Sequence, residues 1–145
     1  MGRVLELDGG INSVTAPTIV ENWYRKQTGG TLDKKKYTYI LGHMDGDIKA
    51  LVLYSDYTGY SITMDICAPR ALTRGLIKQM FDYPFNQLKV QKLIGYIDGR
   101  NALSQRTFSR LGCRYETEIK DFFGKDIARL VYVATKKDVE KWVKS

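Results

Sequence analysis

Histidine occurs once in this chain and cysteine twice. His43 falls beside Asp45-Gly46, and Cys67 and Cys113 stand far apart, so these residue types offer no metal-ligand spacing and no metal is expected. With no export signal in view, the two cysteines read as reduced, small apolar fillers. Also missing is an apolar run near the roughly 20 residues that a membrane-spanning helix needs. Met1 to Glu6 has neither the apolar core of a signal peptide nor the Ser/Thr of a myristoylation site, which leads us to expect a cytoplasmic chain with no membrane role. Proline occurs three times, and each instance reads as the start or end of an element. Repeats, low-complexity segments and linkers are absent. The 145 residues are therefore expected to form one domain, 1–145.

Positive charge is what the chain has in excess. Its net charge of +7 favours an anionic partner: nucleic acid, an acidic protein or a phosphorylated cofactor. Lys34-Lys35-Lys36 and Lys136-Lys137 read equally well as solvated surface, and charge alone gives no site.

The periodicities give an α/β order. Arg3 to Leu7 reads as a short strand. Pro17 to about Gln27 reads as a helix with Ile19, Val20, Trp23 and Tyr24 as its apolar stripe, stopped by Gly29-Gly30. Tyr37 to Gly42 and Ile48 to Tyr54 are predicted strands joined by a His43–Asp47 turn built on Asp45-Gly46. Tyr60 to Cys67 follows as a strand with Ser61, Thr63, Asp65 and Cys67 on its polar face. A helix carrying Leu72, Leu76, Ile77, Met80 and Phe81 is expected to close at Tyr83-Pro84. Val90 to Ile97 should then be a strand parallel to the one before that helix. Asn101 suits the cap of a helix over Ala102 to Leu111, with Gly112 as its exit. Tyr115 to Phe123 and Ala128 to Ala134 form a closing hairpin, and Asp138 is placed as the cap of a short last helix.

Two stretches carry chemistry. In the first, a strand ends at Ala68-Pro69 and Arg70, Thr73, Arg74 and Gly75 lead into a helix. The first N–H groups of a helix lack intrahelical partners and carry partial positive charge, so anions and diphosphates sit well there. The second is Asn101-x-x-Ser104 with Phe108 and a Leu111-Gly112-Cys113 exit.

Together these motifs resemble those of the GCN5-related N-acetyltransferase (GNAT) family, in particular small phage and bacterial members related to the ribosomal-protein N-terminal acetyltransferases. The resemblance implies a mixed, mostly antiparallel sheet splayed at two parallel strands and flanked by helices, with acetyl-CoA as cofactor. By that resemblance, Asp65, Ile66, Cys67 and Ala68 provide a strand edge for the pantetheine arm. The N–H groups of Arg70, Ala71, Leu72, Thr73, Arg74 and Gly75 hold the diphosphate, and Asn101, Ser104 and Phe108 contact the cofactor further along. The family loop reads Gln/Arg-x-x-Gly-x-Gly/Ala, so Thr73 replaces its middle glycine.

Acetyl transfer to an amine needs a neutral amine and a proton for the departing thiolate. Ser104 is the resemblance's proton donor, because Phe108 stands where many relatives have a tyrosine and has no proton to give. Asp65 is the candidate base, with a hydrogen-bonded strand residue as the plainer reading. His43 reads as a surface turn histidine. Tyr24, Tyr54, Tyr57 and Tyr60 flank an acceptor channel or pack in the core. The function expected is acetyl-CoA-dependent N-acetylation of a primary amine, protein or small molecule. The alternative is a catalytically silent GNAT-like protein that binds a host or phage partner, and nucleic-acid binding ranks third. A homodimer stays open, and host cytoplasm is the expected location if the chain is phage-encoded.

Overall fold

The structure is a computed structural model that describes residues 3–6, 16–33, 37–69 and 72–143, with side chains from residue 19 onward. The chain folds as two compact units: Met1–Tyr57 with Asp65–Met80, and Thr58–Met64 with Phe81–Ser145.

In the first unit, strand β1 (Arg3–Glu6) pairs antiparallel with β2 (Tyr37–Asp45), and β2 with β3 (Asp47–Ser55). The hairpin is tighter than expected. Asp45 and Asp47 already pair, and Gly46 alone turns the chain at φ 76°, a left-handed conformation suited to glycine. His43 therefore lies within β2, opposite Ala50 and half-buried, and not at the edge of a turn. Helix α1 (Ala16–Thr28) buries Val20 and Trp23 against Tyr37, Ile40, Leu51 and Leu53, with Tyr24 and Cys67 at the margin of that cluster. Ile19 was expected in the same stripe but is 49% exposed.

Strand β4 (Ser61–Cys67) passes from one unit to the other. Both its faces are buried over Ile62–Met64; the supposedly polar Thr63 is only 5% exposed. In the second unit β4 runs parallel to β5 (Lys92–Asp98), and the pairing joins Ser61, Ile62 and Thr63 to Lys92, Leu93 and Ile94. A helical crossover between two strands enforces that direction. Strand β5 pairs antiparallel with β7 (Ile127–Ala134), which pairs in turn with β6 (Arg114–Gly124). The architecture is thus a mixed, mostly antiparallel α/β fold, as expected.

Helix α2 (Arg74–Asp82) departs from the expectation twice. Leu72 precedes it, and Pro84 does not close it: the chain continues as a π-helical turn over Tyr83–Gln87. Pro84 has no N–H for the carbonyl of Met80 four residues earlier. The hydroxyl of the fully buried Tyr54 donates to that carbonyl instead. Tyr54 is therefore a structural residue and lines no channel, whereas Tyr57 and Tyr60 are exposed.

Helix α3 (Ala102–Leu111) is capped by Asn101 and left through Gly112 at φ 109°, both as the sequence indicates. A Cβ at Gly112 would also meet the carbonyl oxygen of Asp138 at 2.4 Å. The last helix, α4 (Glu140–Val143), follows a 3-10 turn over Lys137–Val139. Asp138 does not cap it. It lies inside that turn, where its N–H donates to Thr135 Oγ and its carboxylate accepts from the Thr135 N–H at 2.8 Å. This reciprocal pair is a capping box.

Candidate functional site

In the first unit, Asp65, Ile66, Cys67 and Ala68 are half-buried along the end of β4 and the residue after it. Asp65 accepts a hydrogen bond from the hydroxyl of Tyr37 at 3.4 Å, and Tyr24 and Tyr37 are hydrogen-bonded to each other. Burial and then the Asp65 charge push both phenols above the usual tyrosine range. Both stay protonated and act as donors or neutral bridges. Burial likewise pushes the Cys67 thiol up, which argues against a nucleophilic thiolate. The sequence carries no sign of the Tyr37–Asp65 contact, because nothing in its spacing relates a residue on β2 to one on β4.

Arg70 and Ala71 lie outside the described residues. Past them Leu72 is half-buried, and Thr73, Arg74 and Gly75 are exposed. Thr73 is the N-cap of α2: its Oγ accepts from the Leu76 N–H at 3.2 Å, and its carbonyl accepts from the Ile77 N–H. The cap uses the oxygen of that hydroxyl and leaves its proton as a donor. Gly75 sits in the first turn with nothing within 4 Å of where a Cβ would be. Among the described residues, no packing calls for glycine at this position.

In the second unit, Asn101 and Ser104 come together at the first turn of α3. The Asn101 side-chain oxygen accepts from the Ser104 N–H at 3.0 Å. That contact leaves the Asn101 amide N–H₂ and the Ser104 hydroxyl for other partners, and Ser104 is half-buried. Phe108 lies one turn further, 5% exposed, with its ring edge-on to Tyr132 at 6.1 Å. The same ring lies over Gly95 of β5, where a Cβ would meet it at 2.1 Å. Gly95 is thus the seat of Phe108, a pairing between helix and strand that the sequence does not reveal.

Neither a protein-family model nor a curated protein matches the sequence. Solved structures do match its fold. A protein from Desulfovibrio desulfuricans placed in the GNAT family superposes with a TM-score of 0.67 at 13% identity, over 93% of this chain and 99% of that one. The ribosomal-protein-S18-alanine N-acetyltransferase of Escherichia coli gives 0.67 at 14% identity, over 93% and 94% of the two chains. A Salmonella typhimurium protein solved with its cofactor acetyl-CoA gives 0.68 at 13% identity, again over 93% and 94%. The chain has the fold of the GCN5-related N-acetyltransferases.

Proposed function

We propose that this chain is an acetyl-CoA-dependent N-acetyltransferase that acetylates a primary amine by direct attack. The observation that carries the reading is the start of α2, where Gly75 faces open space in a turn whose cap, Thr73, retains a hydroxyl proton. Glycine in a helix costs roughly 0.5–1 kcal/mol relative to alanine. A glycine that the packing of the described residues does not require is accounted for by close approach of a ligand. The donor set there, two exposed N–H groups and a hydroxyl at a helix N-terminus, suits a diphosphate. Acetyl-CoA, when bound, supplies an activated thioester.

The chain's residues then have separable tasks. The first-turn N–H groups of α2, with Arg70 and Arg74, hold the diphosphate, and the backbone of Asp65 to Ala68 lies along the pantetheine arm. Asp65 takes the proton that the amine must lose, and the Tyr37 hydroxyl holds its carboxylate in place. The Asn101 amide contacts the pantetheine region and Ser104 Oγ gives its proton to the leaving sulfur. Phe108 backs that helix face. Structural relatives include N-acetyltransferases named for a ribosomal-protein alanine and for spermidine, which supports an amine acceptor, protein or small molecule.

Isothermal calorimetry with CoA and acetyl-CoA tests the reading, followed by CoA release across a panel of amines. Binding is expected, and Ser104→Ala should lower turnover at least tenfold while leaving cofactor affinity within about twofold. No binding of either ligand would overturn the assignment. A second reading, a catalytically silent GNAT-like protein that engages a protein partner, draws on Phe108, which is buried and has no proton to give. Tight CoA binding with no release from any amine would favour it.

A further inference from the structure

From the sheet of the second unit we infer that Arg129 binds the carboxylate group of a ligand, with the rings of Tyr96 and Phe122 as the walls of the site. Arg129 stands on β7, the strand between β5 and β6. Its guanidinium carbon lies 3.9 Å from the centroid of the Tyr96 ring on β5 and 4.7 Å from that of Phe122 on β6. Tyr96 pairs with Val131, two residues along β7, so Tyr96 and Arg129 share a face of the sheet. The cation is thus held between rings supplied by the strands on either side, which fixes it before any ligand arrives.

The hydrogen-bonding capacity of this cation is left unused. Among the described residues the half-buried Arg129 side chain donates no hydrogen bond and enters no ion pair, its two ring contacts apart. A carboxylate is at hand, since Asp98 is the residue opposite Arg129 in the pairing of β5 with β7. Both Asp98 oxygens are taken by Arg100, whose Nε donates to Oδ1 at 3.0 Å and whose Nη2 donates to Oδ2 at 2.6 Å. Asp98 therefore does not serve Arg129, and Arg100 offsets the charge that would repel an arriving anion. A guanidinium offers parallel N–H groups that match two oxygens lying in its own plane. A carboxylate is flat and can lie in that plane between the rings, whereas a phosphate would turn its further oxygens toward them. The geometry therefore selects a carboxylate, carried by a small acid or by an acidic peptide side chain.

None of these residues is among those given to acetyl-CoA, so the site can be tested apart from acetyl transfer. The test titrates the isotope-labelled full chain with glutarate, with a capped Ala-Glu-Ala tripeptide and with inorganic phosphate at constant ionic strength. The Arg129 side-chain Nε–H resonance is followed. A saturable shift with glutarate or the tripeptide is expected, the tighter of the two naming the source of the carboxylate, and phosphate should bind at least about threefold more weakly. Arg129→Lys keeps the charge and loses the fork, so carboxylate affinity, read from the probe's own signals, should fall at least about tenfold. Arg106→Lys, at an exposed arginine of α3, should bind as the wild type does. Circular dichroism checks that both variants fold. No saturable shift in the wild type overturns the inference. So does phosphate that binds as tightly as the carboxylates, or an affinity that survives Arg129→Lys.

Discussion

Thr73 carries two demands on one hydroxyl. The family pattern has glycine there, and the resemblance alone leaves open whether threonine adds a phosphate contact or marks a lost site. The capping bond to the Leu76 N–H explains its presence in structural terms. Thr73→Gly is expected to cost only a few tenths of a kcal/mol, and Thr73→Val about 1 kcal/mol, because glycine is tolerated at an N-cap and valine is not. Gly75→Glu is a sharper probe. Its side chain enters open space and its charge suits a helix N-terminus, so stability should hold or rise slightly. CoA affinity should nonetheless fall at least about tenfold, because a carboxylate would stand where the diphosphate is held. Chemical denaturation and calorimetry on the same preparations separate the two effects. Unchanged CoA affinity in Gly75→Glu would remove the start of α2 from the site.

At the scale of elements, the passage from α2 into the π turn depends not on helix propensity but on Tyr54, which lies 26 residues before Met80 in the chain. Tyr54 gives the Met80 carbonyl the donor that Pro84 lacks. Tyr54→Phe should therefore destabilise by about 1–3 kcal/mol, the penalty for a buried acceptor deprived of its partner. The neighbouring Ser55 is the control, since its buried Oγ has no partner among the described residues. Ser55→Ala should leave stability unchanged or raise it. Urea midpoints for both variants check this, and equal losses would refute the role given to the Tyr54 hydroxyl. The same contact marks where sequence reading stops. Asn101, Gly112 and the closing hairpin were legible because caps and turns are set by neighbours a few residues apart. The parallel direction of β4 and β5 was legible from the crossover rule, and the GNAT fold from the two motifs. The π turn, the seat of Phe108 on Gly95 and the bond from Tyr37 to Asp65 were not. Each joins residues whose proximity only the folded sheet creates. Asp138 departs from the expectation for a related reason: it stands at a helix start, but as the last residue of a four-residue capping box opened by Thr135.

For the molecule as a whole, titration should confine stability to a plateau. Side-chain and backbone hydrogen bonds with Arg100 lower Asp98 from 3.8 to about 2. Asp138 is also held below 3.8: partial burial pulls its carboxyl up, but the bonds from Thr135 and Arg114 outweigh that. A carboxylate whose folded value is depressed contributes stability that is complete above its unfolded value and is lost as pH falls through the folded one. The acid limb should thus run from just above 3.8 down toward about 2. It is steepened by self-repulsion in a chain that starts from a net charge of +7. At the other end burial, with the charge of Asp138, raises Cys113 from 9.0 to about 12, and Tyr24, Tyr37 and Tyr115 are raised above 10.0. A group whose folded value is raised stabilises below its unfolded value and loses that contribution as pH climbs, so decline should begin near 9.0. Urea midpoints measured across this range give the profile. Asp138→Asn should flatten the acid limb and Cys113→Ala the first part of the alkaline one, whatever each does to the plateau height. An alkaline decline unchanged in Cys113→Ala would show that the thiol is not the group that sets it.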